Sequence, residues 1–276
     1  MVNDDPEFAP DLYRGVAELY DEFRLPYTPA LITQLLDDTG PTGRVRALDL
    51  GCGPGLLAFV LADSFAEVWA VDSEPDMIDV VRSKIANSGI RNLHPVGAPA
   101  EELQAPEDFF DLVVVGNAFH RMPRRQVAER IAAWLVPGGH LALCWSSSPW
   151  SGPGDWKPAF GELLADWQHR LGADNQVPAD LESTRNEQPD EAIIEAAGLV
   201  STGRRAFTQP HAWTPGGLAG FIYATSFLPI TIFGDRTSEF EVDLAGRLRP
   251  FLEDGVVIDE VSYAYDLFSR PVPADT

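Results

Sequence analysis

Cysteine is scarce in this chain. Cys52 and Cys144 are the only two in 276 residues, and neither has a second Cys or a His at metal-ligand spacing. A disulfide framework and a zinc site are thereby disfavoured, and no metal is expected. Basic side chains are few as well: 20 Lys and Arg stand against 42 Asp and Glu, a formal net charge of −22. Proteins that hold a phosphate backbone rely on Lys and Arg, so DNA, RNA and anionic membrane surfaces are poor partners. At the N-terminus Asp4, Asp5, Glu7 and Asp11 stand in place of a basic-then-apolar signal, and a cytoplasmic location is expected. From Ala206 to Gly234 there is no charged side chain, a stretch long enough to span a bilayer. Pro210, Pro215 and Pro229, with Gly216, Gly217 and Gly220, break it into short pieces, so no membrane span is expected. No internal repeat is present.

What the chain does have is 45% hydrophobic residues and enough length for one large α/β domain. Apolar strands alternate with amphipathic stretches: Val45–Leu50, Leu56–Ala62, Val68–Val71, Pro75–Asn87, Leu93–Val96, Leu112–Val115, Arg124–Leu135 and His140–Trp145. Such alternation predicts a parallel sheet with helices on both faces. Ahead of it, Asp11–Phe23 and Ala30–Leu36 read as helices, and Gly138-Gly139 reads as a helix exit. Behind it come a turn-rich loop with Trp150 and Trp156, a helix over Pro158–Leu171 and a polar loop to Pro189. The pattern resumes with helix Glu191–Ala197 and strand Leu199–Thr208, then helices Leu218–Leu228 and Glu239–Phe251, then strand Val256–Phe268. Leu218–Leu228 is apolar almost all round, which predicts cover on more than one side.

The first strand runs into Asp49-x-Gly51-x-Gly53-x-Gly55. A strand, a glycine turn and a helix start leave bare backbone for a ligand to approach. A dinucleotide site wants G-x-G-x-x-G, and Leu56 stands where the last glycine would fall. The second strand ends in Asp72, placed to accept ribose hydroxyls. Acids at both strand tips, with no basic group in the loop, suit a cofactor with a ribose and a cationic centre but no phosphate.

Leu48-Asp49-Leu50-Gly51-Cys52-Gly53-Pro54-Gly55 and Ala70-Val71-Asp72 resemble motifs of the class I S-adenosylmethionine-dependent methyltransferases of small molecules. Further matches follow in order: Ala100-Glu101-Glu102-Leu103, Phe110-Asp111-Leu112-Val113-Val114, Ala118-Phe119-His120, and Leu135-Val136-Pro137-Gly138-Gly139 with His140-Leu141-Ala142-Leu143. They cover the cofactor half of the chain and not its substrate half. The resemblance implies a Rossmann-like, mostly parallel seven-stranded sheet with an antiparallel last strand. It divides the single domain 1–276 into an N-terminal helical lid (1–43), a cofactor-binding core (44–145), a cap insertion after strand five (146–188) and the rest of the sheet with a substrate wall (189–276).

S-adenosyl-L-methionine is the implied cofactor and S-adenosyl-L-homocysteine the product. Gly51, Cys52, Gly53 and Gly55 would cradle it, Asp49 would hold the methionine amino end by way of loop amides or water, and Asp72 would clamp the ribose while Ser73 caps the next helix. Met77 would pack over the adenine. Pro99 stands where the family often has Asp, which leaves the adenine edge to the Ala100 amide and Glu101. Asn117 and Ala118 lie at the fourth strand tip, and the lid would bring Tyr20 and Arg24 to the methionine moiety unless its helix simply packs on the sheet with Arg24 solvated.

For the acceptor, Trp145, Trp150, Trp156, Phe221, Tyr223 and Phe227 are the candidate walls, although tryptophans also simply fill cores. The net charge points to an uncharged or cationic, largely apolar small molecule. The same two neutral aromatic stretches would alternatively form a homodimer interface. His120 is the candidate general base, and its neighbour Arg121 would equally hold an acidic group on the acceptor. Methyl transfer is the expected chemistry. A cyclisation or rearrangement steered by the cofactor's charge, or a non-catalytic binding module, remain open on the same scaffold.

Overall fold

The computed structural model describes residue 8 and residues 12–40, 45–176 and 186–273. In chain order the strands are β1 (Arg46–Leu50), β2 (Glu67–Asp72), β3 (Leu93–Gly97), β4 (Phe110–Gly116), β5 (Leu135–Ser146), β6 (Val200–Trp213) and β7 (Val257–Ser269). They form one sheet in the order β3-β2-β1-β4-β5-β7-β6. The first five are mutually parallel, and β7 enters antiparallel between β5 and β6. This is the expected Rossmann-like, mostly parallel seven-stranded sheet with an antiparallel last strand. The helices are α1 (Ala17–Phe23), α2 (Pro29–Asp38), α3 (Ala58–Leu61), α4 (Pro75–Ser88), α5 (Arg124–Trp134), α6 (Lys157–Arg170), α7 (Asp190–Ala196), α8 (Pro215–Tyr223), α9 (Ile230–Phe233) and α10 (Thr237–Leu248).

Alternate strand residues feed two cores, one on each face of the sheet. Ala47, Leu112 and Val114 join Leu31, Leu35 and Leu61 on one side; Leu48, Leu50, Val113 and Val115 join Val127, Ile131 and Ile194 on the other. A third apolar cluster lies in the cap. Trp156, Phe160 and Trp167 pack there with Leu218, Ile222, Phe233 and Phe240, so α6, α8, α9 and α10 share a core of their own. Leu218 and Ile222 have no exposed surface, as expected of a helix apolar all round. No helix among the described residues is long and apolar enough to cross a membrane.

Several boundaries differ from the sequence expectation, each for a physical reason. Helix α3 is one turn long because the chain stays in turns through Leu57. Strand β5 begins at Leu135, directly after α5, so Gly138 and Gly139 lie inside it and not at a helix exit. A Cβ on Gly139 would come within 2.9 Å of the Val136 carbonyl and 3.1 Å of that of Phe110. Strand β6 runs on to Trp213 through Pro210, which it tolerates as the edge strand of the sheet. Helix α1 begins at Ala17, its expected start at Asp11 lying outside the described residues, as does part of the polar loop before Pro189.

Candidate functional site

The glycine loop is pulled tightly onto its neighbours. Gly51 and Cys52 donate to the Val71 carbonyl at 2.8 and 3.0 Å, and Gly53 donates to Asp72 Oδ2 at 2.8 Å. Gly51 has φ of +71°, and a Cβ there would sit 2.7 Å from Ala118 Cβ and 2.9 Å from Met122 Cε, so only glycine fits. Asp49, 1% exposed, accepts from the Ala58 amide at 2.8 Å and so braces the start of α3. Burial pushes its carboxyl up to about 7. Asp72 accepts from the Glu74 amide through Oδ1 at 2.9 Å as well as from Gly53, and burial again raises its pKa against the pull of these bonds.

A cavity of about 420 Å³ opens beyond the C-terminal ends of β1, β2 and β4. Its lining includes Tyr20, Gly51, Gly53, Asp72, Ser73, Met77, Ala100, Glu101, Asn117 and Ala118. A second cavity of about 40 Å³ adjoins it, lined by Arg24, Asp49, Cys52, Ser146 and Phe221 among others. Tyr20, Gly51, Gly53, Gly116 and Asn117 line both.

The wall between the β4 and β5 tips is set by Asn117. With φ of +52°, a conformation Asn tolerates, it donates to the Ser146 hydroxyl at 2.8 Å and to Tyr27 at 3.2 Å, and accepts from the Ser146 amide at 3.1 Å. Helix α1 and the turn before it form the roof. Tyr13 meets Tyr20 edge to face with centroids 5.9 Å apart. The Arg24 guanidinium lies 4.8 Å from the Tyr20 ring and 4.2 Å from Phe221. Lys84 ties the roof to the loop, donating to Asp21 at 2.6 Å and to the Pro54 carbonyl at 3.0 Å.

Not every candidate residue is at the cavities. Gly55 lines neither; a Cβ there would strike the Phe59 ring at 2.8 Å, so its bareness serves packing. His120 also lines neither cavity. Its ring stacks on Trp145 at 6.2 Å and meets Phe8, which lines the large cavity, at 6.4 Å. Trp145 in turn donates to Asp266 at 3.0 Å and lines neither of the two cavities.

Trp156, 2% exposed, belongs to the cap core and donates to the Ile258 carbonyl at 3.0 Å. Tyr223 packs on Phe233 and Phe240, its hydroxyl 3.2 Å from both the Thr237 carbonyl and Glu241. Both therefore face the cap interior and not a substrate. Trp150, Phe221 and Phe227 do come together, with centroids of Trp150 at 6.1 Å from Phe221 and 5.0 Å from Phe227, and Phe221 reaches the small cavity.

Sequence reasoning missed Glu74 and Tyr27. Glu74 is 6% exposed, lines the large cavity and has its carboxyl pushed up by burial. Its place immediately before Pro75, at a helix start, was the available signal. Nothing in the pattern around Tyr27 marks it, since its role arises from the distant Asn117 and Cys144 that it meets.

Residues 47–139 match the profile of the family described as methyltransferase domain. An uncharacterized methyltransferase of Mycobacterium tuberculosis is 34% identical over 128 residues, 46% of this chain and 49% of that protein. The ubiquinone/menaquinone biosynthesis C-methyltransferase of Vibrio vulnificus is 34% identical over 119 residues, 41% of this chain and 46% of that one. The chain thus spans about half the length of the curated relatives it matches. Among solved structures, that of a putative type II methyltransferase from Anaeromyxobacter dehalogenans superposes with a TM-score of 0.59 at 18% identity, covering 98% of this chain and 99% of that one, a likeness of fold.

Proposed function

We propose that residues 47–139, which match the methyltransferase domain family, form a class I S-adenosylmethionine-dependent methyltransferase domain with S-adenosylmethionine as its cofactor, and that the chain methylates a small, largely apolar acceptor. The observation that carries the reading is the pair of adjoining cavities at the strand tips, one roomy and one narrow, with the glycine loop between them. The residues fit the cofactor. Bare backbone at Gly53, where a Cβ would meet nothing closer than 3.8 Å, admits close approach, and Gly51 lines the same cavities. Asp72, its two oxygens each holding one loop amide, keeps lone pairs for ribose hydroxyls. Met77 and Ala100 give the adenine a flat apolar seat. On the narrow side Arg24 offers a shielded Nε without a hydrogen-bond partner among the described residues, suited to the methionine carboxylate.

When bound, the cofactor supplies a methyl carbon made electrophilic by its sulfonium. The chain's part is to orient and to exclude water: Tyr13 and Tyr20 close the roof, Phe221 with Trp150 and Phe227 forms an apolar wall, and Asn117 holds the β4 and β5 tips together. Orientation at near-attack distance alone contributes several powers of ten. No step is assigned to His120. Incubation with methyl-labelled cofactor and a cell metabolite extract, with detection of S-adenosylhomocysteine, tests the reading. Labelled product and S-adenosylhomocysteine in equal amounts are expected. Conversion of a metabolite without S-adenosylhomocysteine would instead support a charge-steered rearrangement.

A further inference from the structure

Arg24 and Arg121 are the only Lys or Arg among the described residues that line the two cavities. In a chain with 42 acidic and 20 basic side chains, two guanidinium groups at one site require an explanation. They flank the roof: Arg24 lies on Tyr20, and Arg121 lies 5.0 Å from Tyr13 and 5.1 Å from Phe8. The two tyrosines meet edge to face between them.

Arg121 is half-buried, and no carboxylate among the described residues pairs with it. Its Nη2 donates to the Ser226 hydroxyl at 3.0 Å. Its Nε and Nη1 are shielded from water and have no hydrogen-bond partner among the described residues. Ring contacts engage a guanidinium through its face and leave the in-plane N–H donors unused. Donors kept dry and unpaired are costly, and a guanidinium presents them as a fork that matches a carboxylate.

The cofactor brings a single carboxylate, which the reading above gives to Arg24 in the narrow cavity. Arg121, in the large cavity, is left with no anion from the described residues and none from the cofactor. We infer that the acceptor carries a carboxylate on its apolar body and that Arg121 grips it, as the specificity-determining residue of the site. Local charge thus overrides the uncharged or cationic acceptor that the net charge of −22 suggests, because a desolvated fork acts at contact range whereas the acidic surface is screened by salt.

The inference rests on the methyltransferase reading, and the test separates the two. Protein loaded with S-adenosylhomocysteine is titrated in a calorimeter with phenylacetate, 3-phenylpropionate and 4-phenylbutanoate, each against its own primary amide. At least one acid is expected to bind tenfold or more tightly than its amide. In R121Q that ratio is expected to fall below twofold while affinity for S-adenosylhomocysteine stays within threefold of wild type; R121K, which keeps the charge but loses the fork, is expected to fall between, and is read in place of R121Q if that variant does not fold. The inference is overturned if no acid outbinds its amide in the wild type, or if R121Q keeps the preference. Loss of S-adenosylhomocysteine binding in R121Q would also overturn it, by assigning Arg121 to the cofactor. Failure of the wild type itself to bind S-adenosylhomocysteine would sink the underlying reading instead.

Discussion

Asp49 keeps a carboxyl where water does not reach, and its proton becomes part of the fold. In the unfolded chain it ionises near 3.9, whereas burial holds the proton on up to about 7. Between those values the folded state binds more protons. Its contribution is therefore full below about pH 4 and is lost as pH rises through 7, by roughly 4 kcal/mol at most. Asp72 and Glu74, also pushed up by burial, act in the same direction. Asp49→Asn keeps an oxygen for the Ala58 amide and carries no charge. Urea unfolding is expected to find it close to wild type at pH 4 and more stable by roughly 1–4 kcal/mol at pH 8; equal pH profiles would refute the assignment. At Asp72 the carboxylate fixes the loop itself, so Asp72→Ala is expected to weaken S-adenosylhomocysteine binding at least tenfold by calorimetry, because Gly53 and Glu74 lose their acceptor. Both acids were legible in the sequence because a strand end beside glycine is a local pattern. His120 was not, since whether its ring faces the cavity or Trp145 depends on a strand far along the chain.

Two contacts between elements carry the roof and the cap. Gly220 of α8 lies so close to α1 that a Cβ would stand 2.4 Å from the Phe23 ring. Gly220→Ala gains about 1 kcal/mol of helix propensity, yet overpacking costs about 1–3 kcal/mol and pushes α1 away. A lower melting temperature together with weaker S-adenosylhomocysteine binding is expected, since Tyr20 and Arg24 ride on α1 and its C-cap. In the cap, Lys157 at the start of α6 pairs with Asp259 of β7 at 2.6 Å, the two side chains only 4% and 2% exposed. Removing one partner of such a pair costs about 3–5 kcal/mol, because the other charge stays buried. Denaturant midpoints should show that loss in Lys157→Met and recovery of most of it in Lys157→Met with Asp259→Leu. The helices and strands themselves follow from apolar spacing along the sequence. Whether Trp156 and Tyr223 point into the cap or into a cavity does not, because an apolar helix looks alike from every side until its neighbours are placed.

At the scale of the molecule, a net charge of −22 sets the response to salt. Like charges over one surface repel, so raising ionic strength from about 0.01 to 0.3 M is expected to raise the melting temperature by a few degrees, as the Debye length shrinks from about 30 Å to below 8 Å; a fall would mean that surface ion pairs such as Arg46–Glu67 outweigh the repulsion. The mostly parallel sheet with its antiparallel last strand was readable because strands and helices alternate and the motifs sit at strand tips. That α8–α10 join α6 in one cap was not, because these helices meet only through contacts distant in sequence. Yet their attachment is simple. Trp213 and Val257 face each other as the terminal pair of the β6 and β7 ladder, so the excursion between them leaves and returns at one point. A segment so attached is a cassette on a hairpin tip: its helices can be exchanged for others in evolution or by grafting, given a new cover for α6 and a new partner for Phe23 and Arg24 of the roof, without disturbing the register of the sheet. Changes of acceptor are then expected from changes in the cassette as well as at Arg121, and a chimera that keeps Gly220 and Phe221 against α1 should keep its affinity for S-adenosylhomocysteine.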